Sequence, residues 1–261
     1  MNDRAHVCKY LATQAEAIGK LSPLAYRRMT GESVHQLRVA IRRTRATLWV
    51  LRHSSARLKL NTLDSDLKNV GRHLGKVREL DVAIKDAKRM NIDTADLRTR
   101  RKKAKSKLHP VLNEENRKKL DKRLRSAAKI VESSCPIELE LAQRHIHRLL
   151  KNINRQKVFK PSGLHPLRII MKKIRYGLEA MGHPVDPIKR LVAILGRIHD
   201  LEFLQSQVAK NSKIRNARHK LRQKALPLIE LALLFSIGQL RGITPNPPRS
   251  IPSKVTHETF Y

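Results

Sequence analysis

Two short stretches of this chain place the same residue types at the same spacing: "HQLRVAIRRTR", His35 to Arg45, and "HPLRIIMKKIR", His165 to Arg175. On a helix, positions i, i+3, i+7 and i+10 fall along one stripe. His35, Arg38, Arg42 and Arg45 therefore share a face about 15 Å long at a rise of about 1.5 Å per residue, and His165, Arg168, Lys172 and Arg175 repeat it. Like charges four residues apart repel by a few tenths of a kcal/mol on an exposed helix and by more when desolvated, so such a stripe calls for an anion opposite it. The chemistry on offer is charge-assisted hydrogen bonding to an oxyanion: arginine with forked donors, lysine as a point charge, histidine as a group that charges near neutral pH. Leu37, Val39 and Ile41, interleaved with these cations, are expected to pack a helical bundle.

A second pair of stretches follows in the same order, "LGKVRELD" from Leu74 and "LGRIHDLE" from Leu195. Arg72, Arg78 and Arg197 could add donors. Glu79, Asp81, Asp200 and Glu202 either orient the cations of the first motif or form ion pairs on a helix surface. "SVHQ" predicts Ser33 as an N-cap with Gln36 closing a capping box, which places His35 in the first helical turn, where free amides and a bound phosphate together favour imidazolium.

The elements that must position these residues are helices. Apolar residues such as Leu37, Ile41, Leu48 and Leu51 recur at helical spacing, and strict alternation is scarce, so the fold class is all-α. Pro23, Pro110, Pro136, Pro161, Pro184, Pro187 and Pro227 are expected near helix ends. The paired motifs divide the chain into a first helical repeat, 1–135, and a second, 136–241, with a proline-rich tail, 242–261, predicted to be disordered. The lysine- and arginine-dense segment from Asp86 to Lys129 reads equally as a solvated helix, a mobile loop or a ligand contact.

Composition names the class of partner. The net charge is +34 over 261 residues, a surplus that a polyanion would neutralise, and nucleic acid, an anionic membrane and inorganic polyphosphate all qualify. Aromatic residues make up only 3% of the chain, which leaves few platforms for stacking unpaired bases. Cys8 and Cys135 sit in no metal or redox spacing and suit a reducing, cytoplasmic setting. The N-terminus lacks the apolar core of a signal peptide. "ALPLIELALLFSIGQL" is broken by Pro227 and Glu230 and is too short to span a bilayer, so it reads as a buried C-terminal helix with no membrane insertion. No nucleophile elbow, paired hydrolytic carboxylates or zinc motif is present, and His145 and His147 diverge on a helix, so neither catalysis, a metal nor a cofactor is expected.

The four blocks, "HQLRVAIRRTR", "LGKVRELDV", "LHPLRIIMKKIRYGLEAM" and "LGRIHDLEFL", resemble the CHAD domain family, the conserved histidine α-helical domain, over about Tyr10 to Leu240. The resemblance implies two four-helix bundles related by pseudo-twofold symmetry around a central basic cavity that binds inorganic polyphosphate without chemistry, in the cytoplasm and in association with polyphosphate granules. It also implies a ligand set: His35, Arg38, Arg42, Arg43, Arg45, Arg72 and Arg78 from the first half, and His165, Arg168, Lys172, Lys173, Arg175, Lys189 and Arg190 from the second. The chain departs from the family pattern at Glu79, at Val192 and at Pro166, the last expected at a third helical position. A DNA- or RNA-binding basic helical protein is the alternative.

Overall fold

The computed structural model describes residues 3–51, 57–133 and 139–240. The expected boundary at 135/136, Cys135, Pro136 and the 242–261 tail lie outside the described residues.

The chain is all-α. Its helices are α1 (Asp3–Arg28), α2 (Gly31–Val50), α3 (Arg57–Arg89), α4 (Ala95–Leu108), α5 (Glu114–Ser133), α6 (Leu139–Lys151), α7 (Arg155–Val158), α8 (Pro161–Ala180), α9 (Asp186–Gln207) and α10 (Ser212–Leu240), with a 3-10 turn at Pro110–Leu112. No helix among the described residues is long and apolar enough to cross a membrane. In the first half, α1 packs on α2 and α5, and α3 packs on the same two helices. In the second, α6 packs on α8 and α10, and α9 packs on those two. The order of neighbours is the same in both sets. Between them α2 packs on α8 and α3 on α9, so the four motif-bearing helices form a closed ring, α2–α3–α9–α8.

One apolar core runs through both sets. From α2 it takes Val34, Leu37, Ala40, Ile41 and Leu48, all buried, while Val39 is only partly buried. Residues two apart on a helix diverge, so Val39 cannot share the core face with Leu37 and Ile41. A smaller cluster joins the end of α3, the start of α4, the end of α9 and the start of α10 through Leu80, Leu97, Leu201 and Ile214.

Some prolines lie at helix ends as expected and others do not. Pro161 and Pro187 occupy the first two positions of α8 and α9, where the missing amide costs nothing. Pro23, Pro166 and Pro227 instead lie inside α1, α8 and α10. An interior proline costs about 3 kcal/mol. These helices continue through them because buried neighbours hold the chain on both sides, Ser22 and Ala25 around Pro23 and Ala225 and Ile229 around Pro227. The C-terminal helix is not wholly buried: α10 packs chiefly on α9 and α6, its apolar residues run around the whole helix and do not all find cover, and Leu234 is 67% exposed. The Asp86 to Lys129 segment is mostly helical: it holds the end of α3, α4 and most of α5, with short connections at 90–94 and 109–113.

Candidate functional site

The basic helices start differently from the sequence expectation. Thr30, not Ser33, is the N-cap of α2: its Oγ1 accepts from the Ser33 amide at 3.1 Å. Gln36 Nε2 donates to Glu32 Oε1 at 2.7 Å, so no capping box forms. His35 is then the fifth helical residue, beyond the turn of free amides. His165 is likewise the fifth residue of α8, and Pro166 the sixth rather than the third. Gly163 allows this start, because a Cβ there would lie 1.9 Å from the carbonyl oxygen of Lys157 in α7.

Arg38 and Arg42 of α2 and Arg168 and Lys172 of α8 converge where these helices pack, each partly buried. Arg38 Nη1 donates to the Gly71 carbonyl of α3 at 3.0 Å. The Nε groups of Arg42 and Arg168 are buried with no hydrogen-bond partner. Burial and then the neighbouring Arg42, with Arg168 adding to it, weaken the hold of Arg38 on its proton. Lys172 is pushed down to about 7 by burial and then by Arg168, Arg42 and Arg38. The histidines belong to the same field. His35 is lowered by burial, then by Arg78 of α3. The ring of His199 of α9 lies 5.4 Å from that of His165, tilted by 42°, and His199 is lowered to about 4 by burial, then by Arg168. Cations desolvated against one another, with buried N–H groups left over, have the chemistry to take up an oxyanion.

Other residues of the expected ligand set are held by protein partners or exposed. Arg43 pairs with Glu179 of α8 at 2.8 Å, and Arg175 lies 3.9 Å from the same carboxylate. Arg175 and Arg42 both lie on the Tyr176 ring, at 4.9 and 5.4 Å. Arg45 pairs with Asp64 of α3 at 2.7 Å. Arg72 is exposed and donates to Asn69 Oδ1, and Lys173, Lys189 and Arg190 are exposed. The structure thus gathers His35, Arg38, Arg42, Arg78, His165, Arg168 and Lys172, and adds His199, which occupies the Arg78 position in the second block. Tyr176 left no sequence signal beyond its place after Arg175. Two of the four acids of the second motif pair with other helices, Asp81 with Arg101 of α4 and Glu202 with Arg218 and Arg222 of α10, while Asp200 lies 3.9 Å from Arg197 on its own helix. Arg197 is held by both oxygens of Asp86, at 2.8 and 3.2 Å.

The sequence profile of the CHAD domain matches residues 9–209. The chain belongs to the CHAD domain family. Two solved structures share the fold. The crystal structure of the CHAD domain from the plant Ricinus communis is 20% identical with a TM-score of 0.59, covering 93% of each chain. PptA from Streptomyces chartreusis is 16% identical with a TM-score of 0.58, covering 92% of this chain and 99% of its own. Among curated proteins none matches.

Within this CHAD domain the two blocks that begin Leu-Gly are not equivalent. A Cβ on Gly75 would sit 2.7 Å from Arg38 Nη1, whereas one on Gly196 would meet nothing within 4 Å. Gly75→Ala is expected to displace the Arg38 guanidinium and weaken anion binding by about tenfold, the worth of one charge-assisted hydrogen bond. Gly196→Ala should leave binding unchanged and raise stability by about 0.5–1 kcal/mol through helix propensity. Calorimetric titration and thermal melting of the two variants check this pair. Equal effects would place the Arg38 guanidinium elsewhere.

Proposed function

We propose that this CHAD domain binds inorganic polyphosphate between the two halves of the chain, 1–135 and 136–241, and holds it without cleaving it. The observation that carries this reading is the convergence of Arg38, Arg42, Arg168 and Lys172 from two facing helices, each partly buried and none of them in an ion pair among the described residues. The family's association with polyphosphate-related proteins supports the same ligand. Single-stranded nucleic acid is disfavoured because two guanidinium groups already lie on Tyr176, which leaves that ring unavailable to a base. The cytoplasm, with its polyphosphate granules, is the setting this function fits.

Non-specific nucleic-acid binding is the second reading, and α4 favours it. That helix carries seven lysines and arginines against one aspartate, and Arg98, Arg100, Lys102, Lys103 and Lys107 are exposed. Titration with polyphosphates of graded length, duplex DNA and heparin at fixed salt separates the two. Long polyphosphate is expected to bind tightest and to raise the melting temperature far more than monophosphate at equal phosphate, since a ligand at a hundredfold excess over Kd adds about 2.7 kcal/mol. Duplex DNA that displaces polyphosphate at equal phosphate would favour the second reading. Polyphosphate chain length should stay unchanged on incubation with Mg or Mn.

A further inference from the structure

A cleft of about 250 Å³ opens between α3, the 3-10 turn and α5, and no residue of the basic cluster lines it. On α3 its residues Asp66 and Val70 lie one turn apart, on a different face from Gly71 and Gly75, which border Arg38. Its floor is apolar: Val70, Leu112 and Leu120 are buried. At its edge stand three cations, Arg117, Lys119 and Arg123, against one carboxylate, Asp66.

Two of these cations are committed. Arg123 Nη1 donates to Asp66 Oδ2, and Lys119 holds Glu115 at 2.5 Å. Arg117 is in no ion pair among the described residues, and its Nε is buried without a hydrogen-bond partner. A ring holds it in place instead. Its Cζ lies 5.1 Å from the centroid of Tyr26 in α1, whose ring lies 4.3 Å from that of His109. A guanidinium seated on an aromatic face keeps its in-plane donors for another partner. The turn beside it is pinned as well: Asn116 Nδ2 donates to the Pro110 carbonyl at 3.0 Å, and the Asn116 amide donates to Asn113 Oδ1 at 2.9 Å. The cleft is therefore preformed, with an apolar floor and one uncommitted polar group, the make-up of a small-molecule site.

We propose that this cleft binds a small organic carboxylate, with its apolar body on Val70, Leu112 and Leu120 and its carboxylate on the Arg117 guanidinium. Each half of such a ligand answers one feature of the cleft. Forked donors match the two oxygens of a carboxylate, and the floor rewards an apolar body that a bare inorganic anion lacks. At about 30 Å³ per water in the liquid, the cleft has the room of about eight waters, enough for one aromatic ring and its carboxylate. The site shares no residue with the polyphosphate reading and stands or falls apart from it.

The test titrates the 15N-labelled full chain with benzoate, benzamide, acetate or inorganic phosphate at fixed ionic strength and follows the backbone amides by NMR. Benzoate is expected to bind with a Kd of about a millimolar and to move amides within 66–70 and 111–123. Benzamide has the same shape without the charge and should bind at least about tenfold more weakly, the worth of a charge-assisted hydrogen bond. Acetate, which has the charge without the ring, should be weaker than benzoate by a similar factor, and phosphate should leave these amides in place. Arg117→Met should bring benzoate down to the level of benzamide, while benzamide binds parent and variant alike and so reports an intact cleft. Arg117→Lys, which keeps the charge and loses the fork, should recover part of the loss. Benzoate and benzamide binding equally to the parent, acetate or phosphate matching benzoate, or benzoate bound at full strength by Arg117→Met overturns the proposal. The comparisons made on the parent need no variant, so a failure of Arg117→Met to fold does not shield the proposal.

Discussion

Replacing Arg38 and Arg42 together by alanine, or Arg168 and Lys172 together, is expected to weaken polyphosphate binding by about a hundredfold or more in either case. Each lost charge-assisted hydrogen bond is worth about 1.5–3 kcal/mol, and every 1.4 kcal/mol is about tenfold in affinity. Stability should move the other way. The free protein keeps these cations desolvated against one another, so the Arg168→Ala, Lys172→Ala pair should melt no lower than the parent. The Arg38→Ala, Arg42→Ala pair gives back part of that gain, because it also loses the bond from Arg38 to the Gly71 carbonyl. Titration calorimetry and thermal melting read both effects on the same samples. Full-strength binding in either double variant would show that the two helices do not share one ligand, and a collapse in melting temperature would show that the cluster is structural.

Raising the pH from about 7 to about 9 is expected to stabilise the free CHAD domain and to loosen its hold on polyphosphate, and Lys172 is the cause of both. Its folded proton affinity is lowered to about 7, against about 10.4 in the unfolded chain. Between those values the unfolded chain binds more protons than the folded one, so stability rises with pH across that window. A bound polyanion restores the charged amine, so binding takes up a proton in the same window and weakens as pH rises, by at most about tenfold per pH unit for one proton. Lys172→Met should flatten both profiles. A second, lower window belongs to the histidines. His199 is held near 4 in the free protein and His35 below its ordinary value, so polyphosphate that recharges them should bind more tightly as pH falls below about 6.5. His35→Gln should reduce that lower rise and leave the Lys172 window intact. Melting curves and affinities at half-unit steps of pH check the assignment. A steep upper window that survives Lys172→Met would mean that another group carries it.

The fold class and the family were legible in the sequence alone. Helical periodicity and the near-absence of alternation are local properties, and two matched blocks repeated in order belong to the chain whatever its tertiary arrangement. The same blocks marked Arg38, Arg42, Arg168 and Lys172 as a basic stripe on each of two helices. Spacing could not say which cations of a stripe stay uncommitted, because that depends on what the neighbouring helix presents. Arg45 meets Asp64 and Arg43 meets Glu179, partners 19 and 136 positions away in the chain. The start of α2 also lay beyond reach, since Thr30 and Ser33 compete for one cap and the packed helix decides between them. Interior prolines survive for the same reason: buried neighbours outweigh a local cost that a sequence reading takes as final. Above all, only the tertiary structure turned two stripes of ordinary lysines and arginines into one perturbed cluster. Packing α2 on α8 removes water from both stripes at once and leaves Lys172 among three arginines, and proton affinity follows from that desolvation and proximity rather than from residue type.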